Sequence, residues 1–216
     1  VSATDPDDAA ALEARVREVL RDTRPVVDPA HWRVPVRSAA TAELLRQRLG
    51  HQPVQPAAVL VPIVPRDHGL SVLLTRRSDH LKDHAGQISF PGGRIEPSDA
   101  GPAEAALRET DEEVGIAACE VDLLGYLDTY VTGTGFAVTP VVGLVDPSAQ
   151  PQANADEVAE AFEVPLSYLI DPTNHQSTSR ALHGQVIEFI EITYQRHRIW
   201  GATAGIIVGF YEKLID

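Results

Sequence analysis

The stretch FPGGRIEPSDAGPAEAALRETDEEVGI, residues 90–116, opens on two adjacent glycines, crosses a polar turn and enters a helix-forming run. Its second half gathers four acids into the five positions from Glu109 to Glu113, directly behind Arg108. Pro102 suits the first turn of a helix, and Asp99 or Gly101 stands near the cap. Ala103, Ala106, Leu107, Thr110 and Val114 fall on one side at helical spacing, which makes a core-facing stripe. Glu109, Glu112 and Glu113 cluster on another face, where i, i+3 and i+4 positions bring Cβ atoms within roughly 5–6 Å, while Asp111 points elsewhere. On an exposed face such like-charge pairs cost only a few tenths of a kcal/mol. In a half-buried cleft the repulsion rises to about 3 kcal/mol per pair, and a hard, oxygen-preferring cation such as Mg²⁺ or Mn²⁺ would be needed to offset it. From the helix alone, a solvated acidic face and a cation cradle both stand.

The whole chain narrows the field. At 216 residues and 44% hydrophobic content it can bury one substantial core. Its 18 basic and 31 acidic residues leave a net charge of -13, which repels nucleic-acid backbones and anionic membranes. A polyphosphate substrate would be repelled too, so it would need local basic residues or a metal ion. The single Cys119 excludes an intramolecular disulfide framework and a four-cysteine zinc site, and points to a reducing compartment, by default the cytoplasm. Neither a secretory leader nor an apolar run of about 18 residues is visible.

Residues 1–50 read as a separate N-terminal arm: a short helix at ALEARVREVL, the proline-broken RPVVDPAHWRVPVR and a helical piece at Thr41–Leu49. Residues 51–216 form the main domain. Its strand candidates are AAVLVPIV and LSVLLT joined at RDHG, then Val121–Val131, Phe136–Val145 and Gln185–Tyr194. Helices are expected at Pro102–Gly115, around VAEAFEVPLSYLI and at TAGIIVGFYEKLI. Strands and helices interleave without a regular βαβ rhythm, which predicts an α+β fold with a mixed sheet between helices, an α/β/α sandwich.

The spacing Gly93, five residues, Asp99, eight residues, then Arg108-Glu109-Thr110-Asp111-Glu112-Glu113-Val114-Gly115-Ile116 resembles the Nudix box, G-x5-E-x7-R-E-U-x-E-E-x-G-U with U aliphatic. Three departures stand out. Asp99 replaces a glutamate, one residue is inserted before Arg108, and Thr110 takes an aliphatic position, where its hydroxyl would bond a carbonyl of the preceding turn. The first two recur in a subfamily resembling coenzyme A pyrophosphatases. Its second signature is matched by LLTRRSDHLKDHAGQISFPGG, Leu73–Gly93, at Leu73, Leu74, Thr75, Arg77, Ser78, Gly86, Phe90, Pro91, Gly92 and Gly93, with Lys82 where an arginine is usual. The likeness continues through Asn154–Asp171 and Ile199–Ile207.

This resemblance implies a Nudix fold and hydrolysis of the pyrophosphate of coenzyme A or its derivatives, giving 3′,5′-ADP and 4′-phosphopantetheine. It implies that Glu109, Glu112 and Glu113 hold Mg²⁺ or Mn²⁺, with the Gly93 carbonyl a further ligand. Arg108 is expected to orient a carboxylate of the cluster, against the plainer reading of a surface salt bridge. For the general base, Glu112 is the first choice and Glu157, in the NADEV loop, the distant one, against a helix-start acid placed by the macrodipole.

Arg77, Lys82, Arg76 and Phe90 are the candidate substrate contacts. Arg77 is favoured, and Arg76 alternates to the other strand face and reads as solvent-exposed. His80 and His84 have zinc-like spacing but lack a fourth ligand. Trp200 and the helix after Thr203 read as core. The expected partner is a small nucleotide-type molecule, not a nucleic acid or a membrane, and a homodimer is compatible with the chain. The rival functions are hydrolysis of another nucleoside diphosphate derivative, such as ADP-ribose or a dinucleoside polyphosphate, and nucleotide sensing without hydrolysis. The intact glutamate trio weighs against the sensor.

Overall fold

The computed structural model describes residues 6–26, 31–33, 54–182 and 185–216. The helical piece expected at Thr41–Leu49 lies outside the described residues.

The central hairpin follows from two apolar runs separated by Asp67 and His68. β1 (Gln55–Arg66) and β2 (Gly69–Arg77) pair antiparallel only near the turn, from Ile63 opposite Val72 to Arg66 opposite Gly69. Beyond Ile63 the two strands part. β3 (Ile88–Ser89) runs along β2 and β4 (Gly92–Arg94) along β1, so the segment between them fills the opening. β5 (Val121–Tyr126), β6 (Tyr130–Val131) and β7 (Phe136–Val145) follow. β7 lies parallel to β1, with Val61 opposite Val142, and carries β5 and β6 antiparallel on its other side. β8 (Val158–Pro165) closes the far edge against β2. One parallel pair among antiparallel ones makes the sheet mixed, as expected.

Both faces of the sheet are covered, which is why β1 is apolar on successive residues instead of alternating. Ala58, Leu60 and Val64 of β1 face the helix Pro102–Val114 on one side. Ala57, Val61 and Ile63 face the other side, where they meet the helices Pro6–Leu20 and Ala202–Ile215. With the single-turn helix Leu166–Leu169, the α-helices among the described residues are, in chain order, α1 (Pro6–Leu20), α2 (Pro102–Val114), α3 (Leu166–Leu169) and α4 (Ala202–Ile215). A separate antiparallel sheet, β9 (Gln176–Leu182), β10 (Gln185–Tyr194) and β11 (His197–Trp200), lies beside α4. No described helix is long and apolar enough to cross a membrane.

Two expectations need correction. VAEAFEVPLSYLI is not a helix: Val158–Pro165 is strand β8, and only Leu166–Leu169 is helical. Its Ala and Glu content favours helix locally, but the open edge of β2 supplies ladder partners from Ser71 to Arg77, and tertiary pairing overrides propensity. Val121–Val131 is not one strand either. The β5–β7 register slips between Leu123 and Gly125, and the chain leaves the ladder before resuming at Tyr130.

α1 comes from the segment that the sequence sets apart as an arm, yet Val16 and Leu20 are fully buried in the same cluster as Val61, Val142 and Phe210. Leu20→Ala is expected to lower the unfolding free energy by about 2–5 kcal/mol in urea titration, the range for emptying a leucine site in a packed core. A loss below about 0.5 kcal/mol would mean that α1 is a detachable appendage.

Candidate active site

α2 starts where Pro102 removes a donor the first turn does not need, and it stops at Gly115. That glycine is left-handed, and its N–H reaches Asp111 O at 2.8 Å. Thr110 occupies the core stripe without strain because its Oγ1 donates to Ala106 O at 2.6 Å, the bond expected for it. The stripe holds one member that the sequence put on the acidic face: Glu113 is 2% exposed, whereas its neighbour Glu112 points into solvent.

Arg108 organises the acids around it. Nε and Nη2 donate to the two oxygens of Asp99, both at 3.1 Å, and Nη2 also reaches Arg94 O at 3.1 Å. Nη1 donates to Glu109 Oε1 at 3.0 Å and to Glu112 Oε2 at 3.2 Å. Each guanidinium nitrogen is therefore engaged by the protein, which supports a bracing role. Asp99, standing where the family pattern has glutamate, also accepts the Glu96 N–H at 2.7 Å. The Arg108 hydrogen bond, aided by that amide, holds the Asp99 carboxyl below its ordinary pKa.

The glycine pair is required by close approach. Gly92 has φ +151°, and a Cβ there would stand 2.4 Å from Ala58 O. At Gly93 a Cβ would stand 2.4 Å from the Glu109 carboxyl carbon. The bare backbone of β4 thus lies directly against a carboxylate.

Glu113 receives an N–H from Gly92, and Arg77 Nη1 lies 3.7 Å from its Oε1, yet its buried Oε2 has no hydrogen-bond partner among the described residues. Burial pushes the Glu113 carboxyl up to about 7, against the pull of Arg77 and with a further push from Glu157. Burial also raises Glu109, partly offset by Arg108. Glu157 acts electrostatically on both carboxyls, so the structure brings this distant candidate to the cluster. Its loop is tied to the end of α2 by Gln152 N–H to Val114 O at 2.8 Å and Asn154 N–H to Glu113 O at 2.9 Å. Asn154 is not among the residues expected at the site; its local signal is that of an Asx-turn residue in NADEV.

The other candidates separate. Arg76 turns to the opposite strand face, where it meets Asp79 at 2.8 Å and stands 3.9 Å from Glu160. Lys82 is exposed in the loop between β2 and β3. Phe90, expected at the substrate, is 3% exposed and belongs to the main core cluster with Val61, Val72 and Leu166. His80 and His84 do not converge: His80 Nε2 donates to Asp156 O at 3.0 Å and His84 Nδ1 contacts Gln87 Oε1 at 2.9 Å.

Among the described residues no three His, Cys, Asp or Glu side chains form a ready-made cage. The donor set nevertheless fits a hard divalent cation. Glu109 and Glu113 are carboxylates whose burial disfavours their charge, and the buried Glu113 Oε2 has no partner among the described residues.

The raised Glu113 pKa carries a sign for stability. The folded state holds its proton more tightly than the unfolded chain, so the stability is fully present below the ordinary value of 4.5 and is lost as pH rises through about 7. Glu113→Gln removes this cost. In metal-free protein the variant is expected to be more stable than wild type by roughly 2–3 kcal/mol at pH 8 and equal to it near pH 4.5, in paired denaturant titrations. A variant less stable at pH 8 would contradict the burial argument.

Residues 54–183 match the family model of the NUDIX domain. The chain is 40% identical over 167 residues to the uncharacterized Nudix hydrolase NudL of Shigella flexneri serotype 5b (strain 8401), covering 76% of this chain and 86% of that protein. It is 40% identical over 165 residues to NudL of Escherichia coli (strain K12), covering 76% and 84%. Among solved structures it is similar to a C. elegans Ap4A hydrolase, with a TM-score of 0.46 and 21% identity over 51% of this chain and 80% of that one. The family match spans more than half of the sequence and the relatives align over most of their own length, so the chain belongs to the Nudix family of hydrolases.

Proposed function

We propose that this Nudix hydrolase cleaves the pyrophosphate of coenzyme A or a derivative, releasing 3′,5′-ADP and 4′-phosphopantetheine or its acylated form. The observation that carries the reading is Arg77. It extends from the end of β2 to within 3.7 Å of the buried Glu113, and its own buried Nε has no hydrogen-bond partner among the described residues. A guanidinium with unmet donors beside the carboxylate cluster suits a phosphate oxygen. Arg77 belongs to the segment Leu73–Gly93 that resembles the coenzyme A signature, and that segment runs through β2, β3 and β4 around the site. Lys82, exposed in the same segment, adds positive charge for a second phosphate.

Glu109, Glu112 and Glu113, with the Gly93 carbonyl, would hold Mg²⁺ or Mn²⁺. Such an ion supplies charge neutralisation at the phosphates and a water of lowered pKa. Arg108 keeps Glu109 and Glu112 oriented, and the glycine backbone of β4 lets the Glu109 carboxylate lie against it. Glu112, which is exposed, and Glu157, which acts electrostatically on Glu109 and Glu113 from its loop, are the two candidates to accept a proton from an attacking water. A cytoplasmic setting accords with the free, exposed Cys119.

Incubation with Mg²⁺ and a panel of coenzyme A, acylated coenzyme A, ADP-ribose and dinucleoside polyphosphates, with separation of products, tests the substrate. Coenzyme A is expected to yield 3′,5′-ADP; turnover of ADP-ribose without coenzyme A would overturn the reading. Arg77→Ala is expected to raise KM for coenzyme A by about 10-fold or more, as loss of a charge-assisted phosphate contact does. Glu112→Gln is expected to lower kcat by about 10²-fold or more while nucleotide binding, followed by calorimetry, persists.

A further inference from the structure

The turn that carries Glu157 is held from two sides. On the α2 side, Asn154 donates its N–H to Glu113 O at 2.9 Å and its Nδ2 to Glu112 O at 3.4 Å. Its own carbonyl accepts the N–H groups of Glu157 and Val158 at 2.9 and 2.8 Å, and its Oδ1 accepts that of Asp156 at 3.2 Å. On the β2 side, three consecutive carbonyls of the turn are taken by residues just past Arg77. Ser78 Oγ donates to Ala155 O at 3.0 Å, His80 Nε2 to Asp156 O at 3.0 Å, and Ser78 N–H to Glu157 O at 2.9 Å.

This second grip begins where the regular ladder fails. The β2–β8 register slips between Arg76 and Arg77, so that Arg76 lies opposite Glu160 but Arg77 opposite Val158. A bulge of this kind bends the strand and re-aims its side chains. It leaves Ser78, 3% exposed, to continue the contact between the two segments through both its amide and its hydroxyl. Arg77 and Glu157 are thereby attached to one another through a single residue, one as its neighbour in sequence and the other as its partner in hydrogen bonding.

We propose that Ser78 is a positioning residue for the hydrolytic reaction: its hydroxyl and amide fix the Ala155–Glu157 turn so that the Glu157 carboxylate faces the Glu109–Glu113 cluster in register with Arg77. This rests on the hydrolase reading of the site and on Glu157 taking part in the reaction, but not on which diphosphate is cleaved. Ser78 itself touches no reacting atom and acts through Glu157.

The test is a double-mutant cycle of wild type, Ser78→Ala, Glu157→Gln and the double variant, with kcat and KM measured in Mg²⁺. Coenzyme A is the substrate, replaced by whichever of ADP-ribose or a dinucleoside polyphosphate is turned over if coenzyme A is not. Glu157→Gln is expected to lower kcat about 10²-fold, and Ser78→Ala about 10-fold with KM within about twofold of wild type. The double variant should match Glu157→Gln within about twofold, because Ser78 has nothing left to position.

Amide exchange of the metal-free protein supplies a second readout. In Ser78→Ala the amides of Glu157 and Val158 should exchange several-fold faster than in wild type, with those of α2 unchanged. Ser78→Ala losses of equal factor with and without Glu157, an unchanged kcat in either single variant, a change confined to KM, or unaltered exchange in the turn would each overturn the proposal. Cleavage of ADP-ribose but not coenzyme A would remove the substrate assignment alone and leave the cycle to decide the role of Ser78.

Discussion

Glu109, Glu112 and Glu113 lie within one turn and a half of a helix, and Arg108 is the charge that offsets the repulsion between the first two. It reaches sideways to Glu109 and Glu112 with one nitrogen, while the other two grip Asp99 as a planar fork. A lysine could carry the charge but not this geometry, since only the guanidinium offers donors in a fixed plane to both sides at once. The bond from Nη2 to Arg94 O extends the same bracket to the glycine strand β4. The loop before the helix, the helix and the strand beneath it are thus attached through one side chain. Exposed ion pairs contribute little singly; here several converge on a guanidinium whose side chain is 25% exposed and whose strongest partner, the Asp99 side chain, is 3% exposed.

The bracket has a place to sit because β1 and β2 diverge. A hairpin paired along its full length would leave no room for Pro91, Gly92 and Gly93, whereas here Leu60 donates its N–H to Pro91 O at 2.9 Å and β4 then follows β1. Phe90, just before this segment, is buried in the main core, and the two glycines follow it along β1. Their bare backbone is what allows a carboxylate-rich helix to lie so close to a strand.

Much of this was legible in the sequence because the signals are local. The proline start of α2 and the Thr110 hydroxyl depend on neighbours within four residues and are found as expected, whereas the buried stripe is Ala105, Ala106, Thr110, Glu113 and Val114, with Ala103 and Leu107 only partly covered. The difference between Glu112 and Glu113 was not legible. Adjacent residues of the same type differ there because Glu113 lies over the sheet, against Gly92 and Arg77, while Glu112 overhangs it. Strand β8 was misread for a related reason: its Ala and Glu residues speak for helix, and the unpaired edge of β2 that overrides them is far away in sequence. Ser78 and Asn154 show the same limit, since their partners lie 77 and 42 residues distant. Phe90 was assigned by motif position, and no periodicity surrounds it to show that its ring turns inward.

Strand alternation resolves how a protein of net charge -13 can present a basic group to an anion without building a basic surface. Arg76 and Arg77 are consecutive on β2 and therefore face opposite sides of the sheet. Arg76 meets Asp79 and lies near Glu160, which also pairs with Arg196 at 2.6 Å and His197 at 3.3 Å, so its charge is absorbed in a surface network. Among the described residues the one ion pair of Arg77 is the long contact to Glu113, on the side where α2 brings its carboxylates. The field far from the molecule stays negative, while the Arg77 guanidinium acts at short range, where screening by salt is weakest, which is the range a phosphate contact of the proposed kind would use. Exchanging the two environments would need a one-residue slip of β2, and the bulge against β8 between Arg76 and Arg77 marks where the register is set.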